Sequence, residues 1–239
     1  MLEINPTDLS TKDLHGYLLS SVGPRPIALV STIDNEGRHN LSPYSFFNVF
    51  SANPPIAIFS PARRIRNNTT KHTLQNAALT NEVVINVVSF PMVEQTSLSS
   101  TEYKKGVNEF IKSGLTPIES TQVKPYRVKE SPVQMECKVK NIISLGEEGG
   151  AGNLVVCEII KMHISEDILN SHHQIDPNKI DLVGRMGANW YCRASNSSLF
   201  EVQKPNSKIG IGYNQLPDHI RNSDILSGND LAKLANVES

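Results

Sequence analysis

Three cysteines, Cys137, Cys157 and Cys192, stand far apart in a chain of 239 residues, and no CxxC pair occurs. That scarcity argues against a disulfide framework and a zinc knuckle, and no metal site is expected. An excess of charge is missing too: 23 Lys plus Arg face 24 Asp plus Glu, a formal net charge of -1. Nucleic acid and membrane surfaces both call for a basic excess, so neither is an expected partner. The longest apolar run, Val83 to Phe90, is too short to span a bilayer. The opening MLEINPTDLSTKDL carries acids and no apolar core run, so no signal peptide is expected there and a reducing, cytoplasmic location is the default. No GxGxxG follows any strand-like run, which leaves a separate dinucleotide-binding unit without support. His172 and His173 are neighbours in a polar stretch; adjacent residues share no helical or strand face, and they read as surface histidines.

What remains is an ordinary globular composition, 38% hydrophobic and 20% charged, in a chain long enough to bury a sizeable core. Asp8 to Ser20 carries a rough helical stripe of Leu9, Leu14, Tyr17 and Leu18. Gly23-Pro24-Arg25-Pro26 ends it and launches a strand over Ile27 to Thr32, with a hairpin turn at Asp34 to Gly37. Further strands are expected at Ile56 to Ser60, at Glu82 to Ser89 with both faces buried, and at Leu154 to Ile164 after the glycine-rich turn Gly146 to Gly152. Val133 to Val139 alternates cleanly and predicts a half-buried strand. Helices are expected at Thr69 to Leu79, with Leu74, Ala77 and Ala78 facing the core, and as two short pieces between Pro91 and Gly114, the second (Val107 to Ser113) stopped by Gly114. About six strands with few long helices point to a mainly β protein, a barrel with helical insertions. From Pro205 the composition turns polar, so a body at 1–204 and a C-terminal extension at 205–239 are expected, the latter with helical pieces at Leu216 to Arg221 and Asn229 to Ala235.

Two segments carry the chemistry. Asn40-Leu41-Ser42-Pro43-Tyr44-Ser45-Phe46-Phe47-Asn48 mixes hydroxyls and an amide with aromatics. Such a mixture suits a planar, polar-edged heterocycle, whose faces the rings cover and whose edge atoms the hydroxyls satisfy. A strand end with a turn at Ser42-Pro43 and core aromatics fits the same residues. Arg63-Arg64-Ile65-Arg66-Asn67-Asn68-Thr69-Thr70-Lys71-His72-Thr73 places cations before and within the first turn of the expected helix. Cations are disfavoured at that end of a helix unless an anion joins them, so a phosphate held by N–H groups, hydroxyls and Lys71 is one reading. A solvated basic loop capped by Asn68 or Thr69 is the other.

Taken in order, Arg25 to Thr32, Ser42 to Asn48, Asn53-Pro54-Pro55, Lys71-His72-Thr73, Val84 to Val87 and Val183 to Tyr191 resemble the flavin reductase-like, FMN-binding split-barrel family. The resemblance runs from about residue 14 to 200. It implies a split β-barrel, Greek-key-like, that forms a homodimer with FMN near the subunit interface. It implies that Tyr44, Ser45, Phe46 and Phe47 line the ring and ribityl chain, with Ser42 and Pro43 beside them. Ser60, Arg64, Lys71 and Thr73 then lie near the phosphate, and Arg185 and Tyr191 lie on a loop at the open face, where substrate binds. Arg25 shares the pattern without an obvious role. His72 stands where the family often has aspartate, so the phosphate assignment leans on Lys71 and Thr73.

Because a flavin brings its own redox chemistry, no catalytic acid–base pair or nucleophile is expected from the protein. The implied activity is an NAD(P)H-dependent flavin reductase or related FMN oxidoreductase. The alternatives are a flavoredoxin-like carrier that passes electrons to a redox partner protein, and a flavin-binding protein without turnover.

Overall fold

The structure, a computed structural model, describes residues 1–202 and 210–237. The chain divides into two compact units, 1–199 and 200–239. The boundary expected at 204/205 falls among residues 203–209, outside the described residues.

The first unit is built on eleven strands: β1 (Ala28–Ile33), β2 (His39–Tyr44), β3 (Phe47–Ala52), β4 (Pro55–Phe59), β5 (Glu82–Val87), β6 (Pro117–Ile118), β7 (Arg127–Val128), β8 (Val133–Ser144), β9 (Asn153–Ile164), β10 (Leu182–Arg185) and β11 (Tyr191–Ala194). Four helices join them: α1 (Thr11–Ser21), α2 (His72–Thr80), α3 (Val93–Ser99) and α4 (Glu109–Ser113). The second unit holds α5 (Asp218–Arg221) and α6 (Gly228–Ala235). Among the described residues no helix is long and apolar enough to cross a membrane.

Seven strands form one antiparallel sheet in the order β2-β1-β5-β8-β9-β4-β3. Its two edge strands, β2 and β3, follow each other in the chain with only Ser45 and Phe46 between them. Two residues reach at most about 7 Å, so the sheet must curl until its edges almost meet. The result is a barrel split between β2 and β3, as expected. Its interior is filled by alternate residues of the strands: Ala28 and Val30, Val83 and Ile85, Val133, Met135 and Cys137, Val155 and Cys157. The opposite face of β1 and β5 is also covered, with Leu29, Leu41 and Val88 packed against Met92, Phe110 and Val183. Burial on both faces explains the unbroken apolar run of β5.

Several expectations change. Leu18 and Tyr17 of α1 are exposed and no residue of that helix is buried, so its stripe packs nothing away. In α2 the buried face is Thr73, Leu74, Asn76 and Ala77, while Ala78 is exposed. The helix starts at His72, three residues later than expected, because Thr69 to Lys71 form the loop that carries the cations. The polar face of β8 is not solvated: Glu136 is fully buried, accepting from Thr121 N at 2.9 Å, Gln122 N at 2.6 Å and Val123 N at 3.2 Å, with His163 Nε2 at 2.6 Å. A loop folded over that face makes a polar strand position a core position.

Candidate flavin site

β2 is the spine of the site. Near its start Asn40 accepts from Thr73 Oγ1 through Oδ1 at 2.7 Å and donates from Nδ2 to Glu109 Oε1 at 2.8 Å. Glu109 also accepts from Leu41 N at 3.1 Å, and its burial raises its carboxyl above the ordinary range. This buried relay fixes the N-terminus of α2 against the strand. The Tyr44 ring lies 5.4 Å from that of Phe59 in the barrel interior. Its hydroxyl sits beside those of Thr73 and Ser42 but completes no hydrogen bond, and burial raises its pKa.

At the far end of β2 a cavity of about 300 Å³ opens, lined by Ile27, Pro43, Tyr44, Ser45, Thr96, Ser97, Ser100, Arg185, Asn189 and Tyr191. Its size is at the lower end of small-molecule sites, and its wall combines hydroxyls, an amide and an aromatic ring. Thr96 is buried, and its Oγ1 has no hydrogen-bond partner. Such an orphan is costly unless a bound group supplies the missing partner. Arg185 and Tyr191 face each other across the β10–β11 ribbon, the guanidinium 4.5 Å from the ring centre. They belong to paired strand ends, a stiffer mount than the loop expected. Ser42, Phe46 and Phe47 are not among the lining residues: Phe47 packs against the barrel core and Phe46 lies 6.2 Å from the His15 ring.

Arg25 acquires a role. Nearly buried, it donates to the carbonyls of Leu19, of Val22 at 2.7 Å and of Met186 at 2.9 Å, and it reaches Ser45 Oγ at 3.4 Å. One guanidinium therefore ties the end of α1 to the β10–β11 turn and the β2–β3 link, and the latter two supply Asn189 and Ser45 to the cavity wall.

The cationic segment lies close by. Ser100 lines the cavity, and Glu102, two residues on, pairs with Arg64 Nε and Arg66 Nη2 at 2.7 Å each. Arg64 is further held by Thr69 Oγ1 at 3.1 Å and the Thr70 carbonyl. Lys71 is half-buried at the N-cap of α2, with no hydrogen-bond acceptor or ion pair among the described residues. Burial, with Arg64 and Arg66 against Glu102, depresses its ammonium below the ordinary range. His72 is depressed for the same reasons, burial first and then Arg64. Crowding of cations at a helix N-terminus is the arrangement that an anion relieves. Of the other expected phosphate residues, Ser60 is buried with its Oγ accepting from Asn153 N at 3.1 Å, and the Thr73 hydroxyl is already taken by Asn40. The loop 61–68 is backed by the glycine turn, where Gly150 N donates to Arg63 O at 3.0 Å and Arg63 N to Ala151 O at 2.9 Å.

The family model for the flavin reductase like domain matches residues 20–178. The chain belongs to the flavin reductase-like family. It is 35% identical over 199 residues to an uncharacterized protein of Aquifex aeolicus, covering 83% of this chain and 98% of that one. Nitrilotriacetate monooxygenase component B from Bacillus cereus superposes with a TM-score of 0.78 at 30% identity, over 84% of this chain and 98% of that one. The 2-nitrobenzoate 2-nitroreductase NbaA of Pseudomonas fluorescens does so with 0.76 at 26% identity, over 86% and 98%. The split barrel of this flavin reductase-like protein therefore belongs with flavin-related oxidoreductases.

Sequence reasoning missed Thr96, Ser97 and Ser100. The signal was present as Thr96-Ser97-Leu98-Ser99-Ser100-Thr101, a hydroxyl run with little helix propensity that nonetheless forms the end of α3 and its C-cap. Among the described residues no group of three or more His, Cys, Asp and Glu is placed to hold a metal.

Proposed function

We propose that this flavin reductase-like chain binds FMN and acts as an NAD(P)H-dependent FMN oxidoreductase. The observation that carries the reading is spatial order. A hydroxyl-lined cavity with an orphaned Thr96 Oγ1 includes Ser100, and Glu102, two residues on, pairs with Arg64 and Arg66 of a cation cluster whose Lys71 has no acceptor or ion pair among the described residues. FMN has that order of parts: a polar-edged ring, a polyol and a terminal phosphate. The residues present fit the group.

When bound, FMN would supply the redox chemistry between a reduced nicotinamide and an acceptor. The chain's own residues bind and orient. Ser45, Thr96, Ser97 and Ser100 satisfy the ring edge and polyol, while Arg185 and Tyr191 border the side from which a nicotinamide or acceptor arrives. Lys71, Arg64 and the free N–H groups of α2 hold the phosphate, with Ser60 and Thr73 packing the wall behind them. Ser42, Phe46 and Phe47, on β2, the β2–β3 link and β3, lie outside the cavity lining and are given no direct contact with the ring in this reading.

The reading includes a homodimer with FMN near the interface, supported by the edge strand β3, where Val49 and Phe50 are 54% and 64% exposed. An edge strand bearing large apolar side chains is stable when covered. It includes a cytoplasmic location, where the three thiols stay reduced. A protein redox partner is supported by the likeness to a monooxygenase component.

The test is anaerobic addition of NADH and of NADPH to the FMN-loaded protein. Rapid bleaching of the visible flavin band by either is expected. Failure of both sinks the reductase activity and leaves an electron carrier or a flavin-binding protein without turnover.

A further inference from the structure

Glu102 is out of place in a phosphate site. Of the charged groups acting on Lys71 and His72, namely Arg64, Arg66, Lys105, Lys71 and Glu102, it is the one acid. Its two oxygens bridge two guanidiniums, Oε1 to Arg64 Nε and Oε2 to Arg66 Nη2, both at 2.7 Å. A phosphate offers guanidinium groups the same pair of oxygens.

The partners differ in freedom. Arg64 is only 12% exposed and is pinned by Thr69 and Thr70. Glu102 is 39% exposed and lies beyond the end of α3, so its side chain can turn into water without disturbing that helix. The arginine is the fixed element and the carboxylate the exchangeable one. Lys71 meanwhile has no acceptor among the described residues, so one carboxylate leaves the cluster with net positive charge that a phosphate dianion satisfies better.

We propose that Glu102 is an internal stand-in for the flavin phosphate. It holds the anion position while no phosphate is bound, and a phosphorylated flavin must displace it. The proposal rests on the FMN reading above and deepens it. It makes Glu102 a specificity residue: a flavin without a phosphate gains nothing from the cluster, and FMN binds less tightly than the cations alone would allow, which keeps it exchangeable.

The experiment is a titration of the full-length protein with FMN and with riboflavin, followed by the fluorescence of Trp190, the single tryptophan. Wild type, Glu102→Gln and Glu102→Asp are compared. Wild type binds FMN more tightly than riboflavin. Glu102→Gln strengthens FMN by about three- to tenfold, the worth of two partly exposed ion pairs, and leaves riboflavin unchanged. Glu102→Asp, which keeps the charge on a shorter stem, falls between. If Glu102→Gln weakens FMN or leaves it unchanged while wild type still prefers FMN to riboflavin, Glu102 is not a competitor and the proposal alone fails. If wild type binds the two flavins equally, or neither, the phosphate site itself fails and the proposal with it. Inorganic phosphate must compete with FMN more effectively in Glu102→Gln than in wild type; equal competition also overturns it.

Discussion

Replacing Lys71 with glutamate is the sharpest perturbation of the phosphate end. Lys71 has no acceptor of its own among the described residues, so the change breaks no bond in the flavin-free protein. What it removes is a charge-assisted hydrogen bond to the phosphate, worth about 1.5–3 kcal/mol. What it adds is like-charge repulsion of about 1 kcal/mol at 4 Å in a water-like dielectric, and more where water is excluded. A glutamate there also pairs with Arg64 and withdraws a second cation, at up to about 1 kcal/mol. The sum, about 2.5–5 kcal/mol, weakens FMN binding by roughly 70- to 5000-fold. Stability moves the other way. Burial and the neighbouring Arg64 and Arg66 already depress the Lys71 ammonium, so the variant relieves repulsion and the flavin-free protein melts at or above the wild-type temperature. Calorimetric titration with FMN and a thermal melt without it together read both signs. An FMN affinity within about threefold of wild type, in a variant that melts normally, would refute the placement of the phosphate at α2, since less than about 0.7 kcal/mol would then depend on Lys71.

Thr96→Val replaces a buried, unpartnered hydroxyl by a methyl of the same shape, so the flavin-free protein gains about 1 kcal/mol in urea unfolding while FMN affinity falls about three- to tenfold. A loss of stability, or an unchanged affinity, would mean that Thr96 does not face the ligand. A methyl added at Gly149 would lie 2.9 Å from Ile65 Cα and 3.1 Å from Arg64 O, both backbone, so Gly149→Ala must push back the loop that carries Arg64. Overpacking of this kind costs about 1–3 kcal/mol, and FMN should weaken while riboflavin does not, as judged by paired titrations. At Glu136 burial favours the acid form, but Thr121 N, Gln122 N and His163 outweigh it and hold the carboxyl at about 2. Its stabilisation is therefore full above the unfolded carboxylate range near pH 4.3 and is lost as pH falls toward 2, by up to about 3 kcal/mol. Urea midpoints across that range should show the slope in wild type and a shallower one in Glu136→Gln; equal slopes would contradict it.

The barrel was legible where side-chain period and burial agree. The alternation of Val133, Met135, Cys137 and Val139 marks the inner face of β8, and the unbroken run of β5 marks a strand covered on both sides. The polar face of β8 was misread because solvent and a folded-over loop look alike in sequence: Glu136 meets its partners in Thr121 to Val123, more than ten residues away. The cation cluster was legible as a run of like charge, but not that Glu102, some thirty residues on, returns to neutralise part of it. Arg25 stayed opaque for the same reason, since its acceptors are backbone carbonyls, which carry no residue-type signal. Tyr44 shows the limit in the other direction. It stands in the right segment, yet its ring serves the barrel core beside Phe59.

The central claim is that FMN lies with its ring against Thr96 and Ser45 and its phosphate at Lys71. A crystal structure of the protein grown with FMN tests it most directly. The account predicts phosphate oxygens within hydrogen-bond reach of Lys71 Nζ and the first N–H groups of α2, with Glu102 turned away from Arg64. A phosphate bound elsewhere, with Lys71 still without a partner and the Glu102–Arg64 pair intact, would contradict it.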